Sequence, residues 1–173
     1  MRIDISNSTD ISNVIFELYG IQIKNTASGI TTDSRNLIEG DIYIAIKGEN
    51  SDGHNYLDQV DALNASAVIV DKDKDCSNLN AQIISVDDTI NAIGDIAKSY
   101  RQKFNIPIIG ITGSNGKTST KELLSHVLDG KFKVHATNGN FNTSIGLPLT
   151  ILELNEDHDI SILEMGANQQ GDI

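Results

Sequence analysis

The sequence predicts a mixed α/β protein: a small N-terminal α/β unit, then the start of a parallel-sheet domain built around a phosphate loop. Three observations predict it. Short apolar runs alternate with amphipathic helical patterns along the chain, the rhythm of an α/β sheet. A strand, a glycine-bearing loop and a helix follow one another over residues 108–128. A second apolar run, 159–164, ends in an acid, Glu164, and ligands bind at the carboxyl ends of parallel strands.

The elements follow in order. Asp10 is placed to cap a helix through Ile11, Val14, Ile15 and Leu18, with Gly20 to end it. Residues 41–47 are apolar at Ile42, Ile44 and Ile46, the period of a strand. Residues 54–64 carry Leu57, Val60 and Leu63 at helical spacing. Two apolar runs, 67–70 and 82–86, read as buried strands, and the polar stretch 71–80 between them as a loop. Residues 88–104 put Ile90, Ile93, Ala97, Tyr100 and Phe104 on one helical face. A domain boundary is expected at Asn105-Ile106-Pro107, dividing the chain into 1–105 and 106–173. Beyond it come a strand at 108–111, a helix at 117–128 and strands at 132–136 and 159–164. The second segment is too short for the strands of a doubly wound nucleotide domain, so the sequence reads as truncated within it.

Composition narrows the function. The 173 residues are 39% hydrophobic and 21% charged, an ordinary globular mix. No apolar run has the length of a membrane span, and the N-terminus lacks the pattern of a secretory signal. The net charge of −11 argues against nucleic acid and anionic membranes, which need basic patches. The single cysteine, Cys76, has no partner for a disulfide or a metal site and reads as a solvated loop thiol. Together these features point to the cytoplasm.

Most of the chemistry lies in Thr112-Gly113-Ser114-Asn115-Gly116-Lys117-Thr118-Ser119. Glycines let backbone N–H groups turn inward around phosphate oxygens, and the following helix adds the positive end of its dipole. Lys117 is placed to neutralise β- and γ-phosphates and Thr118 to hold Mg²⁺. The loop is shorter than the usual G-x-x-x-x-G-K-[ST], which disfavours a generic kinase or GTPase. Glu164 is placed to complete the Mg²⁺ shell with Thr118 or a bound water. Thr137-Asn138-Gly139-Asn140-Phe141-Asn142-Thr143 reads either as a solvated turn or as a polar platform for phosphates or metal. Thr31-Thr32-Asp33-Ser34-Arg35 reads either as a capped turn or as a fork for phosphate or a uracil carbonyl. His54 is in a polar loop and reads as structural. His126, His135 and His158 lack metal-ligand spacing and receive no role.

Taken in order, these segments resemble the Mur ligases, which build the peptidoglycan stem peptide. The family's loop T-G-[ST]-[NS]-G-K-T matches Thr112 to Thr118. Thr32-Asp33-Ser34-Arg35, with residues 40–48 and Asp52-Gly53-His54, resembles the uridine-nucleotide domain of the members that add the third residue or the terminal dipeptide. Residues 139–148 and 164–173 resemble the dipeptide-adding member. Gln169 stands where that group often has histidine, and it is given no role.

The resemblance implies a ligase with ATP as co-substrate, Mg²⁺, and the substrates UDP-N-acetylmuramoyl-tripeptide and D-alanyl-D-alanine. The γ-phosphate passes to the tripeptide carboxylate, and the dipeptide amine displaces it from the resulting acyl phosphate. Thr112, Gly113, Ser114, Asn115, Gly116, Lys117, Thr118 and Ser119 then hold ATP, with Lys117 the catalytic cation. Thr118 and Glu164 hold Mg²⁺. Ser34 and Arg35 meet the uridine nucleotide, and Asn140 and Asn142 lie near the substrate phosphates or metal. A ligase adding diaminopimelate or lysine, a non-catalytic nucleotide-binding module and a generic phosphate-loop switch remain as alternatives. The family's further catalytic groups and third domain are expected beyond residue 173. Residues 1–173 alone are therefore expected to show little or no ligation, which turnover in a phosphate-release assay overturns.

Overall fold

The computed structural model describes residues 1–5, 8–24 and 26–166. It is a mixed α/β fold in two compact units, Met1–Ile96 and Ala97–Ile173. Residues 167–173, including Gln169, lie outside the described residues. Among the described residues no helix is long and apolar enough to cross a membrane.

The first unit holds a five-stranded sheet in chain order: β1 (Arg2–Asp4), β2 (Gly29–Thr31), β3 (Ile42–Ile44), β4 (Ala67–Asp71) and β5 (Gln82–Val86). β1 is antiparallel to β2 and the other pairs are parallel. Strand β3 does not alternate as its sequence suggests. Ile42, Tyr43 and Ile44 are all buried, because a parallel strand in mid-sheet is covered on both faces. Two strands escaped the sequence reading, β1 and β2, each only three residues long. That is too short for a period to register, and their pairing, Ile3↔Ile30 at its centre, is non-local.

Asp41 fastens this edge of the sheet. Its carboxylate is fully buried. It accepts from Arg2 Nε at 2.7 Å and Nη2 at 2.8 Å, from Ser28 Oγ at 2.8 Å and from the Ile38 N–H at 3.0 Å. Gly29 makes room for this. A Cβ there would lie 2.7 Å from both Arg2 Nη2 and Ile3 O.

Helix α1 (Ser8–Tyr19) seats Ile11, Val14 and Ile15, each fully buried, a contribution of about 1.5–3 kcal/mol per side chain. It starts ahead of Asp10, so Asp10 is not its cap. It lies in the first turn, where the dipole favours an acid. Gly20 ends the helix at φ +68°. The helix expected at 54–64 is a 3-10 turn, Gly53–Tyr56, running into α2 (Leu57–Ala62). Asp52 caps the turn by accepting from the His54 N–H at 3.0 Å. His54 is structural, as expected. Its Nε2 accepts from the Asp71 N–H at 3.1 Å, so Nδ1 carries the proton and donates to Asp52 at 2.6 Å. Cys76 is only partly solvated. It packs partly buried beside Leu79 and Ile83 against the core of Tyr43, Val68 and Val70, and burial pushes the thiol pKa up. Helix α3 (Thr89–Arg101) buries Ile93 and Ile96.

The second unit holds a parallel three-stranded sheet in the order β6 (Ile108–Ile111), β8 (Ile160–Glu164), β7 (Val134–Ala136). Helix α4 (Lys117–Asp129) joins β6 to β7. Helix α5 (Gly146–Leu152) has no counterpart in the sequence analysis, and it carries Gly146 and Pro148, both poor helix formers. Both fall in its first turn, where a missing N–H is tolerated, and Thr143 Oγ1 accepts from the Gly146 N–H at 3.1 Å.

His135 on β7 is buried, 2.8 Å from Ser161 Oγ through Nδ1, with the His158 ring centroid 5.0 Å away. Burial first and the neighbouring His158 second press its pKa down to about 4. Above about pH 6.5 the ring is neutral in folded and unfolded chains alike. From there down to about 4 the unfolded chain takes up a proton that the folded one refuses. Stability therefore falls with pH across that window, by up to about 1.4 kcal/mol per pH unit. Urea unfolding at a series of pH values should show this slope, and His135→Gln should reduce it, leaving the share of His158, whose pKa burial also lowers.

Candidate functional site

Parallel pairing brings three chain segments to one end of the second sheet. Ile111, the last residue of β6, is in register with Glu164, the last of β8. Ala136, the last of β7, is in register with Ile162. The loop 112–116, the loop 137–145 and the Glu164 carboxylate all leave the sheet on its carboxyl side.

The loop 112–116 has the backbone that an anion cradle requires. Gly113 has φ +143° and Gly116 φ +77°, both in the region that favours glycine. Gly116 precedes the first turn of α4, and no side chain caps that end. The N–H groups of Lys117, Thr118 and Ser119 are thus the open donors of a helix N-terminus, with the dipole's positive end behind them. Thr112, Ser114, Asn115, Thr118 and Ser119 are exposed along this edge. Lys117 folds back over the loop and donates from Nζ to Gly113 O at 2.8 Å, which holds its charge over the cradle.

Glu164 is 2% exposed. Asn142 Nδ2 donates to its Oε1 at 2.9 Å. Its backbone N–H donates to Thr137 Oγ1 at 2.9 Å. Oε2 is buried and has no hydrogen-bond partner. An unpaired buried carboxylate oxygen is costly, and a hard divalent cation satisfies it. Among the described residues no three His, Cys, Asp or Glu side chains gather as a metal cage. One carboxylate, one hydroxyl and nucleotide phosphates are what Mg²⁺ commonly takes, so this residue set fits that ion.

Of the two asparagines expected here, the structure brings Asn142 to Glu164. The Gly166 N–H closes the same corner by donating to Asn142 O at 2.8 Å. Asn140 is exposed in the turn, its carbonyl accepting from the Asn142 N–H at 2.8 Å. Thr137, read in the sequence only as one residue of the polar segment 137–143, holds the Glu164 backbone with its hydroxyl, and Lys121, which went unnoticed, is buried on α4 and donates to Thr137 O at 2.6 Å. A lysine five residues into a helix normally reads as a solvated side chain, so no sequence signal marks it.

In the first unit a pocket of about 480 Å³ is lined by Thr32, Ser34, Arg35, Tyr43, Tyr56 and Gln59, among others. Ser34 is buried, with Oγ 3.4 Å from Gln59 Oε1. Arg35 is bound bidentately to Asp33, Nε to Oδ1 at 2.9 Å and Nη2 to Oδ2 at 2.8 Å. The Arg35 guanidinium holds the Asp33 carboxyl down to about 2. The arginine's fork is therefore occupied, and the rest of the pocket wall mixes hydroxyl and amide side chains with the apolar Met1 and Ile46. Tyr43 donates its hydroxyl to Gly53 O at 3.0 Å, and burial pushes that hydroxyl pKa up to about 12.

Gly116→Ala tests the cradle's backbone. A side chain at φ +77° should cost about 1–2 kcal/mol, read as a lower urea midpoint with an unchanged slope.

The comparisons with known proteins agree with this geometry. Residues 26–101 match the Mur ligase family catalytic domain and residues 111–172 the Mur ligase middle domain. The UDP-N-acetylmuramoyl-tripeptide–D-alanyl-D-alanine ligase of Bacillus subtilis is 43% identical over 84% of this chain and 32% of its own length. Crystal structure I of MurF from Acinetobacter baumannii superposes with a TM-score of 0.80 at 31% identity, over 99% of this chain and 37% of that one. The MurF ligase of Thermotoga maritima in complex with ADP does so with a TM-score of 0.75 at 36% identity, over 83% and 33%. The chain thus spans about a third of the length of these relatives. Two Mur ligase domains in succession cover most of its residues, and a phosphate loop of that family's form opens the second; the chain belongs to the Mur ligase family.

Proposed function

We propose that this chain forms the substrate-nucleotide and ATP-phosphate parts of an ATP-dependent ligase that joins D-alanyl-D-alanine to UDP-N-acetylmuramoyl-tripeptide. The observation that carries the reading is the phosphate cradle at 112–119 beside Glu164, a buried acid with one unsatisfied oxygen. The relatives named above support the choice of dipeptide and tripeptide. The Thermotoga maritima complex supports an adenine nucleotide.

In this reading residues 1–105 form the uridine-nucleotide domain and residues 106–173 begin the ATP-binding domain. Ser34 meets the uridine nucleotide from the wall of the first-unit pocket. Arg35 contributes through its rim, its charge shared with Asp33. Backbone N–H groups of 113–119 and the Lys117 ammonium bind the ATP phosphates and offset charge as the γ-phosphoryl group leaves. Mg²⁺, when bound, neutralises the phosphates. Thr118 and Glu164 hold it, and Asn142 orients the Glu164 carboxylate. Asn140 faces the substrate from the same loop. The protein's work is positioning and electrostatics, with the acyl phosphate formed on the tripeptide carboxylate. The whole protein is cytoplasmic and monomeric and acts on small molecules alone.

Two measurements test this. Fluorescent ADP should bind the chain, and Lys117→Met should weaken it about tenfold or more. Phosphate release by the intact protein should require D-alanyl-D-alanine with the tripeptide substrate. Turnover with diaminopimelate or lysine on the acceptor one residue shorter, and none with D-alanyl-D-alanine on the tripeptide, overturns the dipeptide assignment.

A further inference from the structure

Lys121 is a charge the proposed mechanism does not use. It lies one helical turn beyond Lys117 on α4, and its side chain is 2% exposed. Its ammonium donates to Thr137 O at 2.6 Å and pairs with Glu122 Oε1 at 2.9 Å. Glu122 is 68% exposed, so it offers only a partner already shared with water. Burying an ammonium is expensive unless its partners are well placed, and an apolar side chain of equal volume would hold a helix on a sheet at lower cost. What the charge adds is a directed bond to one peptide.

That peptide belongs to the corner that holds Glu164. Thr137 follows the last residue of β7, and its N–H donates to Ile162 O at 3.0 Å. Its hydroxyl accepts from the Glu164 N–H at 2.9 Å. From Thr137 the chain runs to Asn142, which holds Glu164 Oε1 at 2.9 Å and leaves Oε2 buried without a hydrogen-bond partner. Thr137 is therefore tied on three sides: to β8 twice and to α4 through Lys121.

We propose that Lys121 is a positioning residue. It locks the phosphate-loop helix to the 137–142 loop, so that the cradle and the Glu164 carboxylate keep one spacing and bind a divalent cation and a nucleotide diphosphate together. The proposal rests on the reading of 112–119 and Glu164 as a metal–nucleotide site. It places no atom of Lys121 on the ligand.

The test separates metal from nucleotide. Mn²⁺ binding to the chain in saturating ADP is followed by electron paramagnetic resonance, and fluorescent ADP binding is measured in EDTA. Lys121→Met should lower Mn²⁺ affinity by about 10–100-fold, as loss of a group orienting a metal ligand does. It should leave ADP binding in EDTA nearly unchanged, and Lys121→Arg should recover most of the loss. A folded Lys121→Met chain with wild-type Mn²⁺ affinity overturns the proposal. So does an equal fall in both affinities, which marks a purely structural lysine. Thr137→Val removes the acceptor of the Glu164 N–H at constant shape and should give the same split. If Lys121→Met does not fold, that variant decides, and unchanged Mn²⁺ binding by it overturns the proposal. If the unmodified chain binds ADP but no Mn²⁺, or neither, the metal–nucleotide reading itself fails.

Discussion

The second unit depends on one constraint, the parallel pairing of β8 between β6 and β7. Parallel strands finish on the same edge of a sheet, so whatever follows them is gathered there. Pairing Ile111 with Glu164 puts the start of the glycine loop 112–116 beside the buried acid without any long side chain reaching across. An antiparallel β8 would send Glu164 to the opposite edge and leave the cradle without a carboxylate. The connections have to be long, as parallel crossovers always are. The chain uses them for α4 and for the loop that carries Asn142 and leads into α5.

Charge is handled locally in a protein of net charge −11. A chain this acidic repels anions at long range. The cradle answers with groups whose partial charge no distant acid cancels: backbone N–H donors, a helix dipole and Lys117 held over Gly113. Elsewhere cations are spent on acids of the fold. Arg2 is committed to Asp41 and Arg35 to Asp33. Arg35, the more obvious phosphate ligand by residue type, thus faces its pocket already paired, beside Ser34 in the wall.

Much of the fold is legible in the residues because hydrophobic period and glycine placement are local signals. The apolar runs that became β4, β5, β6 and β8 were readable, as were the apolar faces of α1 and α3. Where reading failed, a non-local term decided. Strands β1 and β2 exist because they pair with each other and with β3. Helix α5 forms although Gly146 and Pro148 argue against it locally. Cys76 was assigned to water because its neighbours in sequence are polar, yet its neighbours in space are apolar.

The sequence by itself determined the α/β class, the strand–glycine loop–helix segment that carries Lys117 and Thr118, and the acid at the end of a strand. Each of these is carried by contiguous residues whose spacing is the chemistry. Only the tertiary structure decided which asparagine meets Glu164, that Arg35 is already paired, and that Thr137 and Lys121 belong to the same corner. Those facts depend on strand register and on burial, which join residues far apart in the chain. No local pattern encodes that Lys121, on the helix, ends against the carbonyl of Thr137 rather than in water.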